Sequence, residues 1–255
     1  MRLTVIGSGA AFTPIAHNAC MAVDNAVLVD CGAPAHVLLP RAGLNPNAID
    51  TVLLTHFHAD HSIGMVVLLA ARALVSEPVR PLRIAGPVGT REYLERLVRA
   101  GYGGEIWDAV VERLGLETVV LQDGATAPLG EYTVAAHAVV HGLGPSLAYV
   151  LQGPDGVRLG ISGDTTDCAG LHRVIAASDA VVVECTGWDG PVQGNHLSRA
   201  DVVTLVARYP DVRFVLSHLS ERGPLPGAII AHDGIGLDLL PAGPPLPQPP
   251  SSLGS

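Results

Sequence analysis

Apolar residues in the first part of the chain come in short, β-branched runs: LTVIG (3–7), MAVD (21–24), AVLVD (26–30) and TVLL (51–54). Each is too short for a helix and is bounded by turn residues, so each reads as a strand. Asp24-Asn25 between the second and third predicts the start of a hairpin. The period then lengthens. IGMVVLLAARAL (63–74) has helical length and runs out near Pro78, LRIAG (82–86) is a further strand, and TREYLERLVRA (90–100) is an amphipathic helix ended by Gly101. From residue 117 onward strands dominate, as ETVVLQ, YTVAAHAV, LAYVLQ and VRLGIS. A helix near 168–177, the strand AVVVE (180–184), the helix SRADVVTLVARY capped by Ser198 and the strand VRFVLS follow. The second half mirrors the first: two β-rich halves with helices on the outside.

Composition narrows the class. With 48% hydrophobic and 15% charged residues the chain is too apolar to be disordered, yet no run reaches the roughly 18 apolar residues of a membrane span. Residues 1–240 are expected to form one domain. The stretch PAGPPLPQPPSSLGS (241–255) holds too much Pro, Gly and Ser to pack and is expected to be a disordered tail. MRLTVIGSGA lacks the features of a signal peptide, so the expected location is cytoplasmic, with no membrane partner. Cys20, Cys31, Cys168 and Cys185 form no CxxC pair and read as buried thiols. The net charge is −9 and the 15 basic residues are all Arg, which does not supply the basic surface of a general nucleic-acid binder. Arg72, Arg80, Arg83, Arg91, Arg96 and Arg99 cluster in sequence. Arg91/Glu95 and Glu92/Arg96 are spaced for i,i+4 pairs, however, and predict a solvated helix face.

The chemistry concentrates in LLTHFHADHSIG (53–64). On an extended segment His56 and His58 point the same way, as does Asp60 if the extension continues, and His61 comes where a helix would start. Imidazole and carboxylate suit Zn²⁺ and similar divalent ions, and so dense a cluster is hard to explain as packing, because every buried ring nitrogen needs its own partner. Further ligands must come from elsewhere. His141 in AVVHGLG, Asp164 in GISGDTTD and His218 in FVLSHLS each follow an apolar strand. Taken singly, each also reads as a turn residue, a cap or an edge histidine.

The order HxHxDH at 56–61, then His141, Asp164 and His218, resembles the metallo-β-lactamase superfamily of hydrolases, and the likeness extends from GSGAAF and LVDCG to AHDGIGLDL. The resemblance implies an α+β chain folded as an αβ/βα four-layer sandwich. It implies that His56, His58 and His141 hold one metal, that Asp60, His61 and His218 hold a second, and that Asp164 bridges them. Two divalent ions are therefore expected, Zn first, with Mn, Fe or Co suited to the same donors. Such a pair acidifies a bridging water to hydroxide and clamps the electrophile, so the implied reaction is hydrolysis. Asp60 is expected to orient or deprotonate that water as well.

The bond is addressed by VVVECTGWDGPVQGNHLS. Glu184 ends a strand and His196 precedes a helix cap. Brought together, the carboxylate would favour imidazolium and leave His196 able to protonate a leaving group; apart, they are a turn acid and a surface histidine. This arrangement looks like the branch holding RNase Z and the cyclic phosphodiesterases of phosphonate breakdown. Two departures matter. RNase Z enzymes commonly carry a long tRNA-gripping arm between the motifs of His141 and Asp164, where this chain has room only for a hairpin. The phosphonate-pathway enzymes carry an N-terminal cysteine zinc site that PIAHNAC lacks. The expected function is a metal-dependent phosphodiesterase acting on a small or cyclic diester, with His196 supported by Glu184 as leaving-group acid. An acyl hydrolase (thioesterase, lactonase or β-lactam hydrolase) on the same metals is the alternative. A tRNA 3′-processing endonuclease and a non-catalytic scaffold carry less weight. The resembling phosphodiesterases commonly dimerise, so a homodimer is a further expectation. GSGAAF lacks a dinucleotide fingerprint and reads as a glycine turn on one rim of the site.

Overall fold

The computed structural model describes residues 1–142, 144–189 and 194–241, so the expected tail lies outside the described residues apart from Pro241. In chain order, β1 (Arg2–Gly7), β2 (Cys20–Val23), β3 (Val27–Val29), β4 (Thr51–Leu53), β5 (Arg83–Gly86) and β6 (Glu117–Val120) cross one sheet. A second sheet is built from β7 (Thr126–Leu129), β8 (Tyr132–Ala138), β9 (Leu147–Gln152), β10 (Arg158–Ile161), β11 (Ala180–Glu184), β12 (Arg213–Ser217) and β13 (Ala228–Ile230). β14 (Gly236–Asp238) then returns to the first sheet beside β1, making each sheet seven-stranded.

The strands read as unbroken apolar runs because both faces are buried. Alternate residues serve different cores: Leu53, Ala85, Val182 and Val215 fill the space between the sheets, while Val52, Ile84, Val181 and Phe214 point outward. Outside the first sheet lie α1 (Ala35–Arg41), α3 (Met65–Leu74), α4 (Thr90–Tyr102) and α5 (Gly104–Arg113), with the one-turn helix α2 (Ala59–Ser62) at its edge. Outside the second lie α6 (Ala169–Ala176) and α7 (Arg199–Arg208). The layers are helix, sheet, sheet, helix, which is the expected α+β sandwich. Asp24 and Asn25 both take positive φ (49° and 55°) as the central residues of the turn between β2 and β3, closed by Ala26 N donating to Val23 O (2.9 Å).

Strand direction positions the site. β3 to β6 are parallel, β10 to β13 are parallel, and β8 runs with β10 because each is antiparallel to β9. The C-terminal ends of β3 and β4 therefore meet those of β8, β10, β11 and β12 along one edge, the usual place for a site in such sheets. There Leu147 N donates to Thr55 O (2.9 Å) and Tyr149 Oη to Leu54 O (2.7 Å), tying the two sheets together.

Several local expectations are corrected. Gly101 does not end its helix: α4 runs to Tyr102 and stops at Gly103 (φ 88°). A Cβ on Gly101 would lie 2.7 Å from Val66 Cγ1, so this glycine serves the close approach of α3 to α4. On α4 it is Glu95 that pairs with Arg99 (2.7 Å), and Arg91 lies over Trp107 instead. Arg72 is buried, 1% exposed, with its guanidinium on the carbonyls of Ile49 and Arg80, and burial lowers its pKa to about 10. Cys20, Cys31 and Cys185 are buried free thiols and Cys168 is half-buried. Among the described residues no helix is long and apolar enough to cross a membrane.

Candidate active site

The chain leaves β4 extended through His58 and then turns immediately into α2, so Asp60 does not sit on an extended segment as its alternation predicts. It lies in the first helical turn beside His61. The turn brings the His61 ring to 4.2 Å from that of His56 and places Asp60 Oδ2 3.5 Å from His61 Nε2. His141 follows β8, Asp164 follows β10, and His218 follows β12 at positive φ (54°). All seven expected ligands converge in two groups that share Asp164: His56, His58, His141 and Asp164, and Asp60, His61, Asp164 and His218.

The donor set fits divalent cations. His56 Nε2, His61 Nε2 and Asp164 Oδ1 are buried with no hydrogen-bond partner, a costly arrangement without something to bind. The separations His61 Nε2–Asp164 Oδ1 (3.2 Å), His218 Nε2–Asp164 Oδ2 (3.4 Å), His61 Nε2–Asp60 Oδ2 (3.5 Å) and His141 Nε2–Asp164 Oδ2 (3.7 Å) match two atoms each roughly 2.0–2.2 Å from a common tetrahedral ion.

A second layer of side chains sets the tautomers, assigned here from the hydrogen-bond network. Thr55 Oγ1 donates to Asp30 Oδ2 (2.8 Å), so it accepts from His56 Nδ1 (3.0 Å) and leaves Nε2 as a lone pair. His61 Nδ1 donates to the same Asp30 Oδ2 (2.7 Å), and His141 Nδ1 donates to the Asn195 carbonyl (2.9 Å). Thr186 Oγ1 donates to Glu184 Oε2 (2.7 Å) and accepts from His218 Nδ1 (2.8 Å). Four Nε2 lone pairs thus face the centre. His58 turns Nδ1 inward, 3.0 Å from His141 Nε2.

The electrostatics agree. Burial and the neighbouring His61 push His56 down to about 2. Burial also opposes charge on His61, but the carboxylates of Asp164 and Asp30 outweigh it and hold His61 well above its ordinary value. Burial would raise Asp60 and Asp164, yet the surrounding histidines bring Asp60 to about 2 and Asp164 well below the carboxylate range. A field that favours imidazolium at this spot favours a metal cation there equally.

Beside the cluster, His196 Nδ1 donates to Glu184 Oε1 at 2.8 Å. Burial lowers the His196 pKa, but Glu184 overrides it and the pKa is raised. Glu184 is buried and also accepts from Thr165 N (2.8 Å) and from Thr186 N and Oγ1. The segment carrying His196 is anchored by the capping box of Ser198 and Asp201 at the start of α7. Sequence reasoning gave no role to Asp30, Thr55 or Thr186. Asp30 follows β3 in LVDCG much as Asp164 follows β10 in GISGD, and that pattern, with the place of LVDCG in the superfamily likeness, was its signal. The other histidines stand apart: His172 binds Tyr209 and Asp167, and His137 faces Arg173. Trp107 and Trp188 are buried in the outer cores. Ala11 and Phe12 of GSGAAF line the rim of the cleft.

The profile of the Beta-lactamase superfamily domain matches residues 25–219, and the chain belongs to that superfamily as a metal-dependent hydrolase. A ribonuclease Z of Myxococcus xanthus is 26% identical over 280 residues, covering 87% of this chain and 88% of that protein. Two further ribonuclease Z sequences are matched over only 57% and 47% of their own length. The crystal structure of the short form of human tRNase Z superposes with a TM-score of 0.76 at 22% identity, over 94% of this chain and all of that one. A diphosphatase of the PhnP family superposes with a TM-score of 0.69 at 17% identity, over 94% of this chain and 98% of that one. At these identities the structural likeness speaks for the fold.

Proposed function

We propose that the chain is a dinuclear phosphodiesterase acting on small or cyclic diesters. The observation that carries this reading is the Glu184–His196 pair, 2.8 Å apart, placed beside the metal ligands. His56, His58, His141 and Asp164 hold one divalent ion, and Asp60, His61, His218 and Asp164 the other, with Zn the first expectation. Two ions there acidify water and neutralise charge on phosphoryl oxygens. Asp60 orients the attacking water and takes its proton. His196 keeps Nδ1 on Glu184 and carries a proton on Nε2 for the departing oxygen. An alkoxide needs that proton far more than a thiolate does, which favours a phosphodiester over a thioester.

The ribonuclease Z relatives support a second reading, RNA 3′-end cleavage with the same residues. Against it stand the charge of −9 and the absence of Lys. The β9–β10 connection is also short: the chain turns within residues 153–157, closed by Gly153 N donating to Val157 O (2.9 Å).

The test measures metal content by elemental analysis and then turnover of bis(p-nitrophenyl) phosphate, methyl phenyl phosphate, a thioester, a lactone and a β-lactam. About two metals per chain and diester turnover are expected. His196→Ala is expected to lower kcat roughly 10²–10⁴-fold on the phenyl ester and much less on the p-nitrophenyl ester, whose leaving group needs little protonation. An acyl preference indifferent to His196 would transfer the protein to the acyl hydrolases.

A further inference from the structure

We propose that Phe12 anchors a subsite for the leaving alcohol and that this alcohol is aromatic. The inference rests on the phosphodiesterase reading and deepens it. Phe12 is 100% exposed, so it contributes nothing to any core. A lone exposed aromatic is ordinary; its setting here is not.

The ring sits on the turn Ala10–Thr13, closed by Thr13 N donating to Ala10 O (3.3 Å). That turn is tied to the segment after His218: Ala10 N donates to Leu219 O (3.1 Å) and Thr13 Oγ1 to Ser220 O (3.2 Å). Asn18 Nδ2 holds it from the other side through the carbonyls of Ala10 and Ala11. The backbone presenting Phe12 is therefore fixed to the strand end that delivers His218, and little ordering remains to be done when a ligand arrives.

Phe12 lines two adjoining cavities. One, of about 470 Å³, lies over His58, Asp60, His141 and Asp164. The other, of about 400 Å³, extends past Ala10, Thr13, Pro14 and Thr186. His196 and His218 border both. Because His196 stands at the junction and protonates the departing oxygen, the second cavity lies on the leaving-group side. Its hydroxyl protons are committed within the protein: Thr13 to Ser220 O, Ser220 to Thr186 O, and Thr186 to Glu184. Neither cavity is lined by an Arg among the described residues, so a second phosphate would find no guanidinium to pair with. What the cavity offers is an apolar wall and an uncovered phenyl face, which suits an aromatic ring.

The test uses the full chain loaded with Zn²⁺ and two esters, methyl 2-naphthyl phosphate and methyl phenyl phosphate, whose leaving alcohols differ in area but little in acidity. The naphthyl ester is expected to be preferred about fivefold in kcat/KM, carried by KM. Phe12→Ala should abolish that preference and lower kcat/KM for the naphthyl ester roughly tenfold, Phe12→Trp should retain it, and both variants should melt with the wild type. Calorimetric binding of 2-naphthylphosphonate against methylphosphonate reads the same preference without turnover. Equal treatment of both pairs, or a preference untouched in Phe12→Ala, would overturn the subsite while ester turnover kept the phosphodiesterase reading intact. A phosphonate preference that depends on Phe12 without any ester turnover would keep the subsite and sink the phosphodiesterase.

Discussion

Asp30 shows how one buried carboxylate organises ligands it does not join. It is 1% exposed, at φ 54°, and accepts from Thr55 N, Thr55 Oγ1 and His61 Nδ1. It thereby fixes the tautomer of His61 directly and that of His56 through Thr55. Asp30→Asn replaces an acceptor with an amide whose NH₂ opposes the His61 Nδ1 proton. The expected result is a loss of metal affinity of about 10–100-fold at the site of His61, seen in a competition titration against a chelator. Unchanged affinity for both metals would mean that His61 takes no part in binding. The ligands themselves were legible because metal-binding residue types at strand ends are recognisable one by one. The partners were not: a single Asp in a strand-end turn, or a Thr two residues past a Glu, looks the same in sequence whether or not a histidine from a distant segment lands on it.

At the scale of elements, period and punctuation read well where one cause sets them. The apolar runs became strands, Ser198 became a cap, and Asp24-Asn25 became a hairpin turn. They misled where a residue served a neighbour instead: Gly101 reads as a stop but admits α3, and α5, to which the apolar pattern assigned no element, opens at Gly104 and sends Trp107 and Val110 into the outer core. The most exacting of these contacts is in the site. A Cβ on Gly32 would lie 1.7 Å from the carbonyl oxygen of Asp60, so the segment after β3 and the helix α2 are packed backbone to backbone. Gly32→Ala must push α2 outward and carry Asp60 and His61 with it. The expected cost is about 1–3 kcal/mol, read as a midpoint lowered by roughly 2–4 °C per kcal/mol, together with a metal count falling from about two toward one. Retention of both metals at an unshifted midpoint would show that α2 is not held where this packing puts it.

For the whole molecule the open choice is between a small diester and an RNA, and charge decides how to tell them apart. Arg2, Arg83, Arg99, Arg113, Arg158, Arg173 and Arg199 each face a carboxylate, and Arg72 is buried. Much of the basic content is thus already neutralised on a chain of net charge −9. A protein that grips RNA through Z phosphates loses affinity with salt at a slope of about 0.7Z to 0.9Z in logarithmic terms, whereas a single diester held by metal ions has almost no such slope. Zn²⁺-loaded protein is therefore expected to turn over methyl phenyl phosphate with kcat/KM changing less than about twofold between 50 and 200 mM salt, the range over which a phosphate-gripping protein loses orders of magnitude. A precursor tRNA should be cleaved less efficiently than the small ester at both salt concentrations. Cleavage of the precursor at a single 3′ position, far faster than the ester and collapsing as salt rises, would instead identify an endonuclease whose RNA contacts use arginines that face no carboxylate among the described residues. Charge reversal at Arg96 and Arg208 would then be the next measurement.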